Sequence, residues 1–162
     1  MIVSIDFSDY VKDIIPSEWT VSFGASYPEY LKACSLAVKT YSWHLTVYPK
    51  SSDPYYEVHD EYNQSYWVGT YDNLDYSNQY VLDQALYAIS NYVMAKSAGG
   101  GEEKVFRAEY GSGIYGQYSG TLGDVTAKAQ AQAGNLYQDI LRFAYDYSYI
   151  GGWGAIVFRT HV

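Results

Sequence analysis

Apolar residues recur at helical spacing along several stretches of the chain. The clearest covers residues 28–47, where Leu31, Cys34, Val38, Tyr41 and Leu45 share one face and Lys32, Lys39 and Ser42 lie off it. Ser26-Tyr27-Pro28-Glu29 reads as a capping box with proline in the first turn, and Pro49 limits the far end. A second helix is expected from Tyr80 to Ala95, with Leu82, Ala85, Leu86, Ile89 and Val93 facing inward. Shorter helices are expected over Tyr10 to Ile15, capped by Ser8-Asp9 and ended by Pro16-Ser17, over Asp124 to Ala133, and over Tyr137 to Tyr145. Gly134-Asn135 separates the last two.

Period-two alternation marks Ile2 to Phe7 and Lys104 to Tyr110 as strands, and Ile150 to Val162 ends as a third. Residues 50–71 are polar and aromatic, with a short extended piece at Tyr56 to Asp60. Residues 111–123 form a loop rich in glycine, serine and tyrosine. The strongest break, SAGGGE at residues 97–102, is short enough to be a flexible loop or hairpin turn within one domain. Strand, helices, strand, helices, strand is an α+β order, with a small mixed or antiparallel sheet and several packed helices in a single domain over 1–162.

Composition narrows the class. The chain has 162 residues and 48% apolar content, enough for a buried core. No apolar run is long enough for a transmembrane helix, and MIVSIDFSDY does not read as a signal peptide. A net charge of −8 without a basic cluster argues against nucleic acid as a partner. The 21 tyrosines suit either an oligomer interface or a groove that stacks on sugar rings.

Four chemistries lack their signatures. His44, His59 and His161 are widely spaced, and no paired metal-ligand motif occurs, so no metal and no cofactor is expected. Cys34 reads as a small buried hydrophobe. No serine sits in a nucleophile elbow, and GSGIYGQYSGTLG has no phosphate-cradle context. Carboxylates remain. Glu18 follows a Pro-Ser break beside Trp19, whose bulk lowers local polarity and favours the protonated form that a general acid needs. Taken alone, the same residue reads first as an ordinary carboxylate at a helix N-terminus.

DYVKDIIPSEW followed by PEYLKACSLAVKTYSW resembles the opening of the SpoIID/LytB family. Tyr10, Val11, Ile14, Ile15, Pro16, Glu18 and Trp19 match its first block. Glu29, Leu31, Lys32, Ala33, Ala37, Lys39, Thr40 and Tyr41 match its second, with Lys39 in place of the usual arginine. Three later blocks resemble the family in the same order. They supply Asp60, Gln64, Tyr66 and Gly69, then Tyr110 and Gly113, then Gly134, Tyr137, Ile140, Leu141 and Tyr145. The resemblance spans about Ser8 to Tyr147.

That resemblance implies peptidoglycan glycan strands as substrate and lytic transglycosylation as the reaction, with Glu18 as the catalytic residue. Lys39, Tyr41, Gln64, Tyr66, Tyr110 and Ser112 are the implied substrate-binding residues. Its other branch implies a non-catalytic module that binds glycan or stimulates a cell-wall amidase. Either implies action outside the membrane, in the cell envelope or extracellular space. A tyrosine-rich assembly subunit is the third alternative. The chain departs from the family twice. Only His59 stands near the place of a Cys/His cluster that binds zinc in some members. The family's glutamine before the last helices is replaced by Asp124.

Overall fold

A computed structural model describes residues 4–49, 66–97, 102–146 and 154–160. Helix α1 (Phe7–Glu18) and the short α2 (Phe23–Ser26) lead into α3 (Pro28–Val47) and then α4 (Tyr76–Ile89). Strands β1 (Tyr92–Ser97), β2 (Glu103–Val105), β3 (Glu109–Gly111) and β4 (Thr121–Gly123) follow. Helices α5 (Asp124–Gln132) and α6 (Tyr137–Tyr145) and strand β5 (Ile156–Thr160) complete the order. The architecture is α+β, as the alternation of patterns predicts.

Helix α3 is the axis of the core. Thirteen of its residues are buried, on all sides and not on one stripe, so it behaves as a core helix and not an amphipathic surface helix. Helices α1, α2, α4, α5 and α6 and strands β1 to β3 all pack against it. Ser35, Lys39, Thr40 and Ser42 are buried with it, and all but the Ser35 hydroxyl find internal partners among the described residues. Thr40 Oγ1 accepts the Met94 N–H at 3.1 Å, and Ser42 Oγ donates to the Val38 carbonyl at 2.8 Å. The expected capping box does not form. Tyr27 occupies the cap position, and Glu29 instead pairs with Lys32 and accepts the Tyr137 N–H at 2.8 Å, tying α6 to the start of α3.

Strands β2, β1 and β5 form an antiparallel sheet in that order, and β3 and β4 form a parallel pair. Ser97 pairs with Glu103, so the strands flanking the glycine-rich break lie side by side, as a hairpin requires.

Several boundaries differ from the sequence reading. Ser4 to Asp6 form no strand, and Phe7 already begins α1. Pro16 does not end that helix. Its missing N–H costs one hydrogen bond near the end, and α1 continues to Glu18, where Trp19 N–H still bonds to Ile15 O at 2.9 Å. The second helix stops at Ile89, and residues 92–97 are strand. Because Val93 to Lys96 are buried in succession, β1 shows no alternation, and Val93 happens to continue the helical period. Residues 104–110 split into β2 and β3, and the expected loop at residues 111–123 ends in β4.

Gly123 makes the β3–β4 pairing possible. A Cβ there would sit 2.5 Å from the Gly113 carbonyl oxygen and 2.8 Å from the Tyr115 ring, so the loop after β3 can close onto the start of α5 only over glycine. Further along, the Tyr118 and Gly120 N–H groups bond to Phe143 O and Ala144 O at 2.7 and 2.8 Å. These bonds satisfy carbonyls that the end of α6 leaves open.

Candidate functional site

Glu18 is the last residue of α1 and is half-buried. The chain then turns extended at Trp19, with φ −134° and ψ 154°. Residues 18–20 are fastened from two sides. The Thr20 N–H donates to the Tyr30 hydroxyl of α3 at 3.2 Å, and that hydroxyl donates to Asp124 Oδ1 at 2.5 Å. Lys128, one turn on in α5, places its ammonium 2.9 Å from Asp124 Oδ2 and 3.0 Å from Thr20 Oγ1. The same ammonium lies over the rings of Phe23 and Tyr30. Burial pushes the Tyr30 hydroxyl far above its ordinary range, and the hydrogen bond to Asp124 adds to this. Tyr30 therefore keeps its proton and acts as a fixed donor.

Trp19 is buried and packs between two tyrosines, edge-on to Tyr30 at 6.2 Å and tilted against Tyr110 at 5.5 Å between centroids. Tyr110 in turn meets Tyr41 edge-on at 5.9 Å. An aromatic row thus runs from α3 through β3 to the residue after Glu18. Ser112 is exposed, one residue beyond the end of β3. Tyr110 packs on the residue that follows Glu18, but Tyr41 behind it is a buried core residue, so its expected place in a binding surface does not hold.

Two expected substrate-binding residues have other tasks. Lys39 is buried, and its ammonium donates to the carbonyls of Ile89 and Ser90 at 3.3 and 2.5 Å, closing the C-terminal end of α4. Desolvation lowers its pKa to about 8. A lysine so placed is a brace between helices. Tyr66 stacks on Tyr10 at 4.9 Å, toward the start of α1. Tyr10 precedes Glu18 by roughly 12 Å of helix at 1.5 Å per residue. That part of α1 holds the segment after residue 66 in place. Asp13 accepts the Gly69 and Tyr71 N–H groups at 3.0 and 2.9 Å. Burial raises the Tyr66 pKa, with Asp13 and Asp9 contributing. Gln64, His59 and Asp60 lie outside the described residues.

Sequence reasoning missed Tyr30, Thr20 and Lys128. The Asp124–Lys128 spacing is visible as an i,i+4 pair, but such pairs are usually solvated surface contacts. Nothing local announces that Tyr30, 94 positions earlier, completes the group. Cys34 is fully buried, and burial drives its thiol pKa up, as befits a packing residue.

Among the described residues, no group of three or more His, Cys, Asp or Glu side chains is placed to hold a metal ion. Among the same residues, no helix is long and apolar enough to cross a membrane. Comparison of the chain with known protein families, curated proteins and solved structures finds no match to any of them.

Proposed function

We propose that the chain cleaves peptidoglycan glycan strands by lytic transglycosylation, with Glu18 as the one catalytic carboxylate. The observation that carries the reading is the placement of Glu18. It is a half-buried acid at a helix end, its following residues clamped by Tyr30, Asp124 and Lys128, with an aromatic row alongside. The ordered resemblance of the surrounding motifs to the SpoIID/LytB family supports the same residue.

One carboxylate is enough for this reaction. Protonated Glu18 gives its proton to the glycosidic oxygen as the bond from that oxygen to the muramic C1 breaks. The muramic C6 hydroxyl attacks C1 from within the same sugar and passes its proton to the Glu18 carboxylate. The products are a free hydroxyl on one strand end and a 1,6-anhydro ring on the other, and Glu18 regains its starting state. Intramolecular attack supplies the nucleophile at high effective concentration, so no second carboxylate is required to activate water. Tyr110, which packs on Trp19 and is half-buried, is the expected binding residue best placed to line a glycan groove beside Glu18.

The test incubates the protein with peptide-free glycan strands and analyses the ends by mass spectrometry. Anhydro-muramic ends that vanish in Glu18→Gln support the reading. Strand binding with no new ends rejects cleavage and leaves a glycan-binding or amidase-stimulating module of the cell wall.

A further inference from the structure

A concave site lies between the loop after β3 and the α5–α6 turn, with neither Glu18 nor its clamping residues in its lining. Its volume is about 460 Å³, within the range of small-ligand sites. Gln117, Gln130 and Asn135, three residues with amide side chains, line it. Tyr118 and the half-buried Phe143 contribute ring surface.

The charges set the ligand class. Asp139 and Asp146 line the cavity against Arg142 alone, leaving a negative excess that disfavours phosphates and carboxylates. A bulky cation is not favoured either. Arg142 stands 3.9 Å from Asp139, and Asp146 already accepts the Ile156 N–H at 2.8 Å. Amides both donate and accept, as hydroxyl groups do, so the lining matches a neutral polyhydroxylated ligand. Ring surface beside the amides suits the C–H face of a pyranose.

The cavity wall is held rigidly. Tyr118 has φ 60°, an uncommon conformation for a residue with a side chain. Backbone bonds at Tyr118 and Gly120 to the end of α6 fix it there. The turn that places Asn135 is set by Gly134 at φ 88° and by the Asn135 N–H bond to Gln130 O at 3.1 Å.

We propose that this cavity is a binding site for one or two rings of a neutral saccharide, separate from the Glu18 site. Binding here does not depend on cleavage, so its test and that of the proposed function can fail independently. The experiment titrates the full chain with chitotriose, and in parallel with glucose 6-phosphate, while side-chain amide resonances are followed by NMR. The Gln117, Gln130 and Asn135 amides shift saturably with chitotriose and far less with the phosphate sugar. A Gln130→Ala/Asn135→Ala variant with an unchanged circular dichroism spectrum binds about tenfold more weakly, the loss of roughly one net hydrogen bond. Unshifted amides, equal response to the anionic sugar, or undiminished affinity in the variant would each overturn the proposal.

Discussion

The Tyr30 hydroxyl donates to the Asp124 carboxylate at 2.5 Å and accepts the Thr20 N–H at 3.2 Å, so one side chain joins α3, α5 and the segment after Glu18. Tyr30→Phe removes that junction without opening a cavity. The Thr20 N–H loses its partner, while Asp124 keeps Lys128 at 2.9 Å. Stability is expected to fall by about 1–2 kcal/mol in urea unfolding. On the proposed reading, strand cleavage falls more than strand binding, because Glu18 is less well fixed. An unchanged unfolding midpoint would deny the hydroxyl its structural role.

Lys39 and Lys96 make opposite predictions from the same shift. Desolvation lowers both to about 8, against an ordinary value of 10.5. Between those values the unfolded chain binds more protons than the folded one, so folding stability rises with pH across that window. The gain is on the order of 2 kcal/mol per lysine between pH 8 and pH 10. The Lys96 ammonium lies 4.7 Å from the centre of the Phe106 ring, with Asp146 its charged neighbour. Lys96→Met is expected to stabilise the protein at pH 7 and flatten the rise. Lys39→Met leaves the Ile89 and Ser90 carbonyls without their donor and is expected to destabilise. Urea midpoints at pH 7.5 and 9.5 for both variants decide the matter.

Periodicity located α3, α5 and α6 well, since each carries its pattern within one element. The bounds of α6 coincide with the expected Tyr137 to Tyr145. It failed where two elements share one pattern. The run Leu82, Ala85, Ile89, Val93 crosses from α4 into β1, and only burial on both faces of β1 separates them. For the candidate site, motif order pointed to Glu18, Tyr110 and Lys39 alike, and the bracing position of Lys39 was not legible. Its neighbours in sequence carry no sign that the α4 carbonyls arrive beside it. Tyr30 was hidden for the same reason: its partners come from elsewhere in the fold.

Gly123→Ala is expected to be among the costliest small substitutions. The added methyl meets the Gly113 carbonyl, a backbone atom that also accepts the Val125 N–H at the start of α5, so the loop must shift away from that helix. A loss of roughly 1–3 kcal/mol follows from overpacking of this kind. Gly116→Ala has nothing within 4 Å and serves as the control. Equal melting temperatures for the two variants would contradict the close approach.

Asp13 holds the chain after residue 66 through two backbone N–H groups, at Gly69 and Tyr71. Asp13→Ala is expected to speed hydrogen exchange at both amides by tenfold or more, the effect of losing about 1.4 kcal/mol of local protection. Exchange at the Thr20 amide, held by Tyr30, should be unaffected. Uniform acceleration would indicate global destabilisation, and no acceleration would remove Asp13 from its anchoring role.

Trp19 is buried, and among the described residues its indole N–H finds no acceptor. An unpaired buried donor costs about 1–3 kcal/mol, comparable to the packing that the larger ring supplies over phenylalanine. Trp19→Phe is therefore expected to change stability by less than about 1 kcal/mol, since the lost contact area is offset by removal of the orphaned group. Trp19→Ala removes the ring that Tyr30 and Tyr110 pack against, and a loss of about 3–5 kcal/mol is expected from the cavity. Urea unfolding of both variants reads the difference. A large loss in the phenylalanine variant would mean that the N–H makes a bond that matters to the fold.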